Sequence, residues 1–110
     1  MTPTPEGEVK KLIKNLLAKY DIRSAKDAGK FKSAAGWYFC PVPWGVRGIP
    51  DFVGVHHEIF WSVEAKKPGA KPTGFQALQE QAIRAGTGVV FIVDGEESLK
   101  IFENWLKEPK

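Results

Sequence analysis

The chain has 110 residues, of which 43% are hydrophobic and 26% charged, values typical of one soluble globular domain spanning 1–110. A single cysteine, Cys40, excludes an internal disulfide and a cysteine-based zinc site, and no apolar stretch approaches the ~20 residues that a membrane helix requires. The opening residues lack the basic and apolar pattern of a signal peptide, so we expect an intracellular protein. The net charge of +3 is uneven, since residues 1–50 carry nine Lys and Arg against four Asp and Glu. A basic half can steer a polyanion toward one face, but charge alone favours a solvated helix surface.

The first half of the chain predicts a helix, a loop and a strand. Thr4 and Pro5 suit a helix start, and the residues that follow show apolar side chains at the helical period: Val9, Leu12, Ile13, Leu16, Leu17 and Tyr20. Residues 21–36 are rich in Lys, Ala, Gly and Ser and predict a loop. The aromatic stretch 36–43 predicts a strand, with Cys40 in the core.

The second half predicts a hairpin, a helix, a strand and a final helix. Segments 51–55 and 59–66 read as strands joined by a polar turn at His56, His57 and Glu58, with both histidines exposed. The pattern then predicts a helix over 73–85 with Phe75, Leu78, Ala82 and Ile83 facing inward, a strand over 89–93 and a helix over 96–107. The predicted class is α/β, in the order helix, three strands, helix, strand, helix.

Two predicted neighbouring strands bring acidic side chains together. Side chains alternate along a strand, so Glu64 and Lys66 share one face, and a hairpin places Asp51 within reach of that face. Two carboxylates, with the Ala65 carbonyl as a further oxygen, suit a divalent cation such as Mg²⁺. Such a site would hydrolyse a phosphodiester, with Lys66 orienting water and offsetting negative charge. The alternative is a solvated Glu64–Lys66 pair of little energetic value.

Two further side chains have both a structural and a catalytic interpretation. By helical periodicity Glu6 lies within about 60° of the apolar stripe, whereas Glu8 lies on the far side, so Glu6 is the candidate to reach the metal. An acid in a first helical turn is favoured by the helix dipole in any case. Thr73 and Gln76 match a capping box, but Gln76 could also contact the phosphate or the attacking water.

Arg47 is the first candidate for a phosphate contact, because it lies in a glycine-rich loop beside Asp51. Lys67 and Lys71 follow it as candidates for DNA binding.

The block GIPDFVGV…FWSVEAKKPGAKPTGFQ resembles the VRR-NUC family, a branch of the PD-(D/E)xK nuclease superfamily. The pattern consists of Gly48 to Asp51, Glu64-Ala65-Lys66, the turn Lys67-Pro68-Gly69, and Thr73 to Gln76. The opening PEGEVKKLIKNLL is similar to the first helix of short, stand-alone members, many of them phage-encoded, and there the motif acid corresponds to Glu6. One departure is a short helix after Gln76, which leaves Gln79 as a possible substitute for it.

The resemblance implies a restriction-endonuclease-like αβββαβα core, with a central mixed sheet flanked by helices, and a Mg²⁺- or Mn²⁺-dependent endodeoxyribonuclease. It further implies a homodimer that resolves four-way (Holliday) junctions, with phage-encoded members acting inside a bacterial host. The alternatives are a less selective nicking or flap nuclease and a non-catalytic DNA-binding module.

Overall fold

The computed structural model describes residues 5–42 and 44–110. Along the chain its regular elements are α1 Pro5–Lys19, β1 Ile22–Ser24, a 3₁₀ turn Ala25–Asp27, β2 Gly36–Phe39, β3 Phe52–His56, β4 Ile59–Ala65, α2 Gly74–Ala85, β5 Val89–Val93 and α3 Glu96–Lys107. The predicted start of α1 at Pro5 is confirmed, whereas Thr4, its predicted cap, lies outside the described residues. No helix within the described ranges has the length and apolar character needed to cross a bilayer.

The five strands form one mixed sheet in the order β1-β2-β3-β4-β5. The outer pairs β1–β2 and β4–β5 are parallel, and the inner pairs β2–β3 and β3–β4 are antiparallel. The α/β class and the mixed sheet are therefore confirmed. The loop predicted over 21–36 was wrong at its start, because Ile22–Ser24 forms β1, a strand too short to show alternation. The strand predicted over 36–43 ends at Phe39, and Pro43 lies outside the described residues.

Helices α1 and α3 cover one face of the sheet and build the core. Trp61 on β4 is fully buried, and its ring lies 5.3 Å from that of Phe102 on α3. The remaining core residues on these elements include Val9, Ile13, Leu16, Leu17, Ile22, Phe52, Val63, Val93 and Leu106. Strand β4 pairs with a neighbour on each side and is buried from Trp61 to Ala65, so its polar residues Ser62 and Glu64 are largely shielded from solvent.

A two-residue turn joins β3 to β4. His57 and Glu58 both have positive φ, 48° and 70°, as in the tight turns whose twist matches that of a hairpin. His56 belongs to β3 instead and is only 2% exposed, so its predicted exposure was wrong. Its Nδ1 lies 3.2 Å from the carbonyl of Ala35 and its Nε2 3.1 Å from that of Leu106, which links β3 to the end of α3.

Helix α2 lies on the opposite face of the sheet, and its orientation differs from the prediction. Phe75 and Leu78 are 50% and 62% exposed, whereas Glu80 is buried and Gln76 and Ile83 are partly buried. The apolar pattern failed at Phe75 and Leu78 because the inward side of α2 carries the polar residues Gln76 and Glu80 beside Ile83. Cys40, predicted to be in the core, is also exposed.

Candidate active site

Asp51 and Glu64 lie opposite each other on β3 and β4. Phe52 pairs with Val63, so the next position outward on these antiparallel strands sets Asp51 against Glu64 on the same face. Oδ2 of Asp51 accepts a hydrogen bond of 2.8 Å from the backbone N–H of Ala65, which fixes the carboxylate at the strand end. The two acids that the sequence predicted to converge therefore do so.

The electrostatics of the pair favour a protonated Glu64. Its side chain belongs to a residue only 5% exposed, and burial, followed by the charge of Asp51 and their hydrogen bond, raises the pKa of Glu64 to about 8. The charge of Lys66 acts in the opposite direction and lowers that pKa, and the charge of Glu6 raises it. At neutral pH Glu64 therefore keeps its proton. A divalent cation between the two carboxylates would carry more positive charge than that proton and would neutralise the pair more fully.

Two lysines approach the carboxylates from different elements. Lys66 follows β4, its backbone N–H donates to the carbonyl of Val93 at 2.9 Å, and its charge acts on Glu64. Lys10 on α1 places its Nζ 3.5 Å from Oδ1 of Asp51. The sequence reasoning missed Lys10, although Lys10 lies one helical turn after Glu6, the α1 residue that it had directed toward the site.

Gln76 forms the predicted helix cap and also contacts Glu64, whereas its contact to a phosphate or to the attacking water stays a prediction. Its Oε1 accepts from the backbone N–H of Thr73 at 2.8 Å, its own N–H donates to Oγ1 of Thr73 at 3.2 Å, and the capping box is complete. Its Nε2 also donates to Oε1 of Glu64 at 2.7 Å. Gln79 instead donates to the carbonyl of Arg47 at 3.3 Å, so Gln76 is the glutamine beside Glu64.

Gly48 is required for α2 to lie this close to the site. Its φ is +80°, and a Cβ at this position would lie 2.3 Å from the backbone carbonyl of Phe75 and 2.6 Å from the backbone nitrogen of Gln76. Any larger residue would therefore displace the first turn of α2, together with the glutamine that orients Glu64.

The carboxylates of Asp51 and Glu64 are suited as ligands to a divalent cation. Asp51 and Glu64 present carboxylate oxygens in one place, and their mutual repulsion is the kind that a cation relieves. Across residues 5–42 and 44–110, no group of three or more Asp, Glu, His or Cys side chains is arranged to hold a metal. The two carboxylates fit one cation whose remaining ligands are water or substrate. Ligation by Glu6 or by the Ala65 carbonyl stays a prediction. Glu8 is exposed.

The predicted DNA contacts surround the site on one side. Arg47 has its guanidinium 5.0 Å from the centre of the Phe75 ring, which places it at the first turn of α2. Lys67 and Lys71 are exposed on the segment between β4 and α2. No bond to a carboxylate is seen for these three side chains within the described part of the chain.

Comparison with protein-family models gives no match, and no curated protein matches the sequence significantly.

Proposed function

We propose that this protein is a metal-dependent endonuclease that hydrolyses phosphodiester bonds in DNA. The observation that carries the proposal is the pairing of Asp51 with buried Glu64, next to the ammonium groups of Lys10 and Lys66. Two acids held together on neighbouring strands oppose folding unless a proton or cation separates them. A divalent cation bound between the two carboxylates would relieve this repulsion and would also activate a phosphodiester for hydrolysis.

Asp51 and Glu64 would hold Mg²⁺ or Mn²⁺, with Glu6 and the Ala65 carbonyl as proposed further ligands. The ion supplies Lewis-acid activation of the phosphodiester when it is bound. Lys66 orients the attacking water and offsets the negative charge that develops on the phosphate oxygens. Gln76 keeps one oxygen of Glu64 fixed through its 2.7 Å hydrogen bond, so that carboxylate enters the reaction in one orientation.

The substrate class follows from the resemblance to stand-alone VRR-NUC proteins, and the αβββαβα nuclease core is proposed on the same ground. We propose branched DNA, and four-way junctions in particular, as the preferred substrate. Arg47, Lys67 and Lys71 are exposed cations beside the carboxylates and are suited to phosphate contacts.

A homodimer would cut a four-way junction symmetrically, and one surface supports this assembly. On the face opposite the core, neighbouring strands expose four large apolar side chains, each between 41% and 43% exposed: Trp37, Phe39, Val55 and Phe60. The rings of Trp37 and Phe39 stack with centroids 6.3 Å apart. We call these four residues the open sheet face, and we propose that two copies pack through it.

The experiment that tests the proposal is a cleavage assay on three labelled DNAs: a four-way junction, a flap and a linear duplex of the same sequence. We expect Mg²⁺-dependent product from the junction first and none in EDTA. Equal cutting of all three would favour the less selective nuclease instead. Tight DNA binding without product in either Mg²⁺ or Mn²⁺ would favour a non-catalytic binding module and overturn the proposal.

A further inference from the structure

Two adjoining pockets extend from Asp51 along the side of the molecule. The first, of about 220 Å³, is lined by Lys10, Lys14, Cys40, Pro41, Asp51 and Phe52. The second, of about 510 Å³, is lined by Lys14, Ser24, Ala25, Lys26, Tyr38, Phe39 and Cys40. Because Lys14 and Cys40 line both, the pockets form one path, which we call the lysine groove. It lies on the α1 and β2 side of the carboxylates, away from the predicted contacts Arg47, Lys67 and Lys71.

The charge of the lysine groove is almost entirely positive. Lys10 and Lys14 are one helical turn apart on α1 and so share a face, and Lys26 lies on the 3₁₀ turn after β1. Among the described residues, Asp51 is the single acid that lines either pocket. In the described part of the chain no carboxylate lies within ion-pair distance of Lys14 or Lys26, whereas the nearby Asp27 is paired with Lys30 at 3.4 Å.

This arrangement does little for the stability of the protein itself. Lys10 pairs with Asp51, but Lys14 has no acidic partner among the described residues, and like charges at positions i and i+4 destabilise a helix by a few tenths of a kcal/mol; folding therefore does not explain Lys14. The hydroxyls of Ser24 and Tyr38 add neutral donors to the wall of the groove, and Oγ of Ser24 accepts from the backbone N–H of Lys26 at 3.2 Å, which fixes the start of the 3₁₀ turn. A row of cations with hydroxyls between them matches a phosphodiester chain.

We infer that the lysine groove binds the DNA strand that continues from the phosphate at Asp51, with Lys14 and Lys26 each contacting a phosphate. The inference rests on the proposed function and assigns that site a second binding arm. Ammonium and hydroxyl groups read the backbone and not the base edges, so the groove contributes affinity and register without sequence preference.

The first test compares two double variants of equal charge. Lys14→Gln/Lys26→Gln alters the groove, and Lys11→Gln/Lys100→Gln removes two exposed lysines that line neither pocket. The affinity of the wild type and of both variants for a fluorescent four-way junction is measured in EDTA from 50 to 200 mM KCl. The rate at which each protein cleaves the same DNA is then measured under single-turnover conditions with Mg²⁺.

We expect the groove variant to bind at least about 10-fold more weakly at 150 mM KCl, with the slope of log K against log salt reduced by about two. The control variant should retain nearly the full slope and should cleave at the wild-type rate. Equal slopes for the two variants would overturn the inference while leaving the nuclease proposal intact. A wild type that neither binds nor cleaves the junction would refute both, and one that binds without cleaving would refute only the nuclease.

The second test uses Cys40, which is exposed in the groove and is the only cysteine of the chain. The rate at which a maleimide modifies Cys40 is measured for the wild type with and without saturating four-way junction in EDTA. Bound DNA should slow the reaction at least about fivefold, because the strand would cover both pockets. An unchanged rate, with anisotropy showing that the DNA is bound, would exclude the groove as the path of the strand.

Discussion

Replacing Glu64 by glutamine should stabilise the metal-free protein while it abolishes cleavage. Folding raises the pKa of Glu64 from 4.5 to about 8, so the folded state holds a proton that the unfolded state releases between these values. The favourable contribution of that carboxyl is complete below pH 4.5 and is lost as the pH rises toward 8. At pH 7 retaining the proton costs at most about 3 kcal/mol, and at pH 5 less than about 1 kcal/mol.

The Glu64→Gln side chain has no proton to lose and can still accept from Gln76. We therefore expect the free energy of unfolding in EDTA to exceed that of the wild type by up to about 3 kcal/mol at pH 7, with little difference at pH 5. Urea denaturation at pH 5, 6, 7 and 8 measures this, with Glu97→Gln on the exposed surface of α3 as the control. A difference in the free energy of unfolding between Glu64→Gln and the wild type that does not grow with pH would refute this prediction.

Three other perturbations test separate parts of the structure. Gly48→Ala should lower the free energy of unfolding by about 2 kcal/mol or more and reduce cleavage, since its Cβ meets the backbone of α2; urea denaturation that matches the wild type would contradict this. His56→Gln should lower the free energy of unfolding by about 2 kcal/mol at pH 7. This loss should be smaller at pH 5, because burial lowers the pKa of His56 below its usual 6.5 and the wild type loses stability as its unfolded state takes up the proton. A loss independent of pH in the same urea measurements would contradict this. Trp37→Ser/Phe39→Ser should convert a dimer to a monomer in sedimentation velocity, and a dimer that persists would show that the open sheet face is not the interface.

The sequence predicted best where one local rule determined the structure. Alternation along β4 and the short hairpin were enough to place Asp51 opposite Glu64. The capping box at Thr73 and Gln76 was also predicted correctly from local sequence, whereas the contact of Gln76 to Glu64 was not foreseen.

The remaining features depend on contacts between distant segments. Lys10 reaches Asp51 only because α1 crosses the end of β3, a placement that helical periodicity does not contain. His56 appeared to be part of a polar turn, but its partners are the carbonyls of Ala35 and Leu106, far away in the sequence. The exposure of Phe75 likewise reflects the docking of α2 with the polar residues Gln76 and Glu80 turned inward beside Ile83.

The central claim is that the carboxylate pair and Lys66 perform metal-dependent hydrolysis. Single-turnover cleavage of a four-way junction in Mg²⁺ by Lys66→Ala tests it most directly, with Lys100→Ala on the exposed side of α3 as a matched loss of one lysine. We predict that Lys66→Ala lowers the maximal rate roughly 100- to 1000-fold while its urea denaturation curve stays close to that of the wild type, and that the control cleaves normally. Cleavage by folded Lys66→Ala at the wild-type rate would contradict the account.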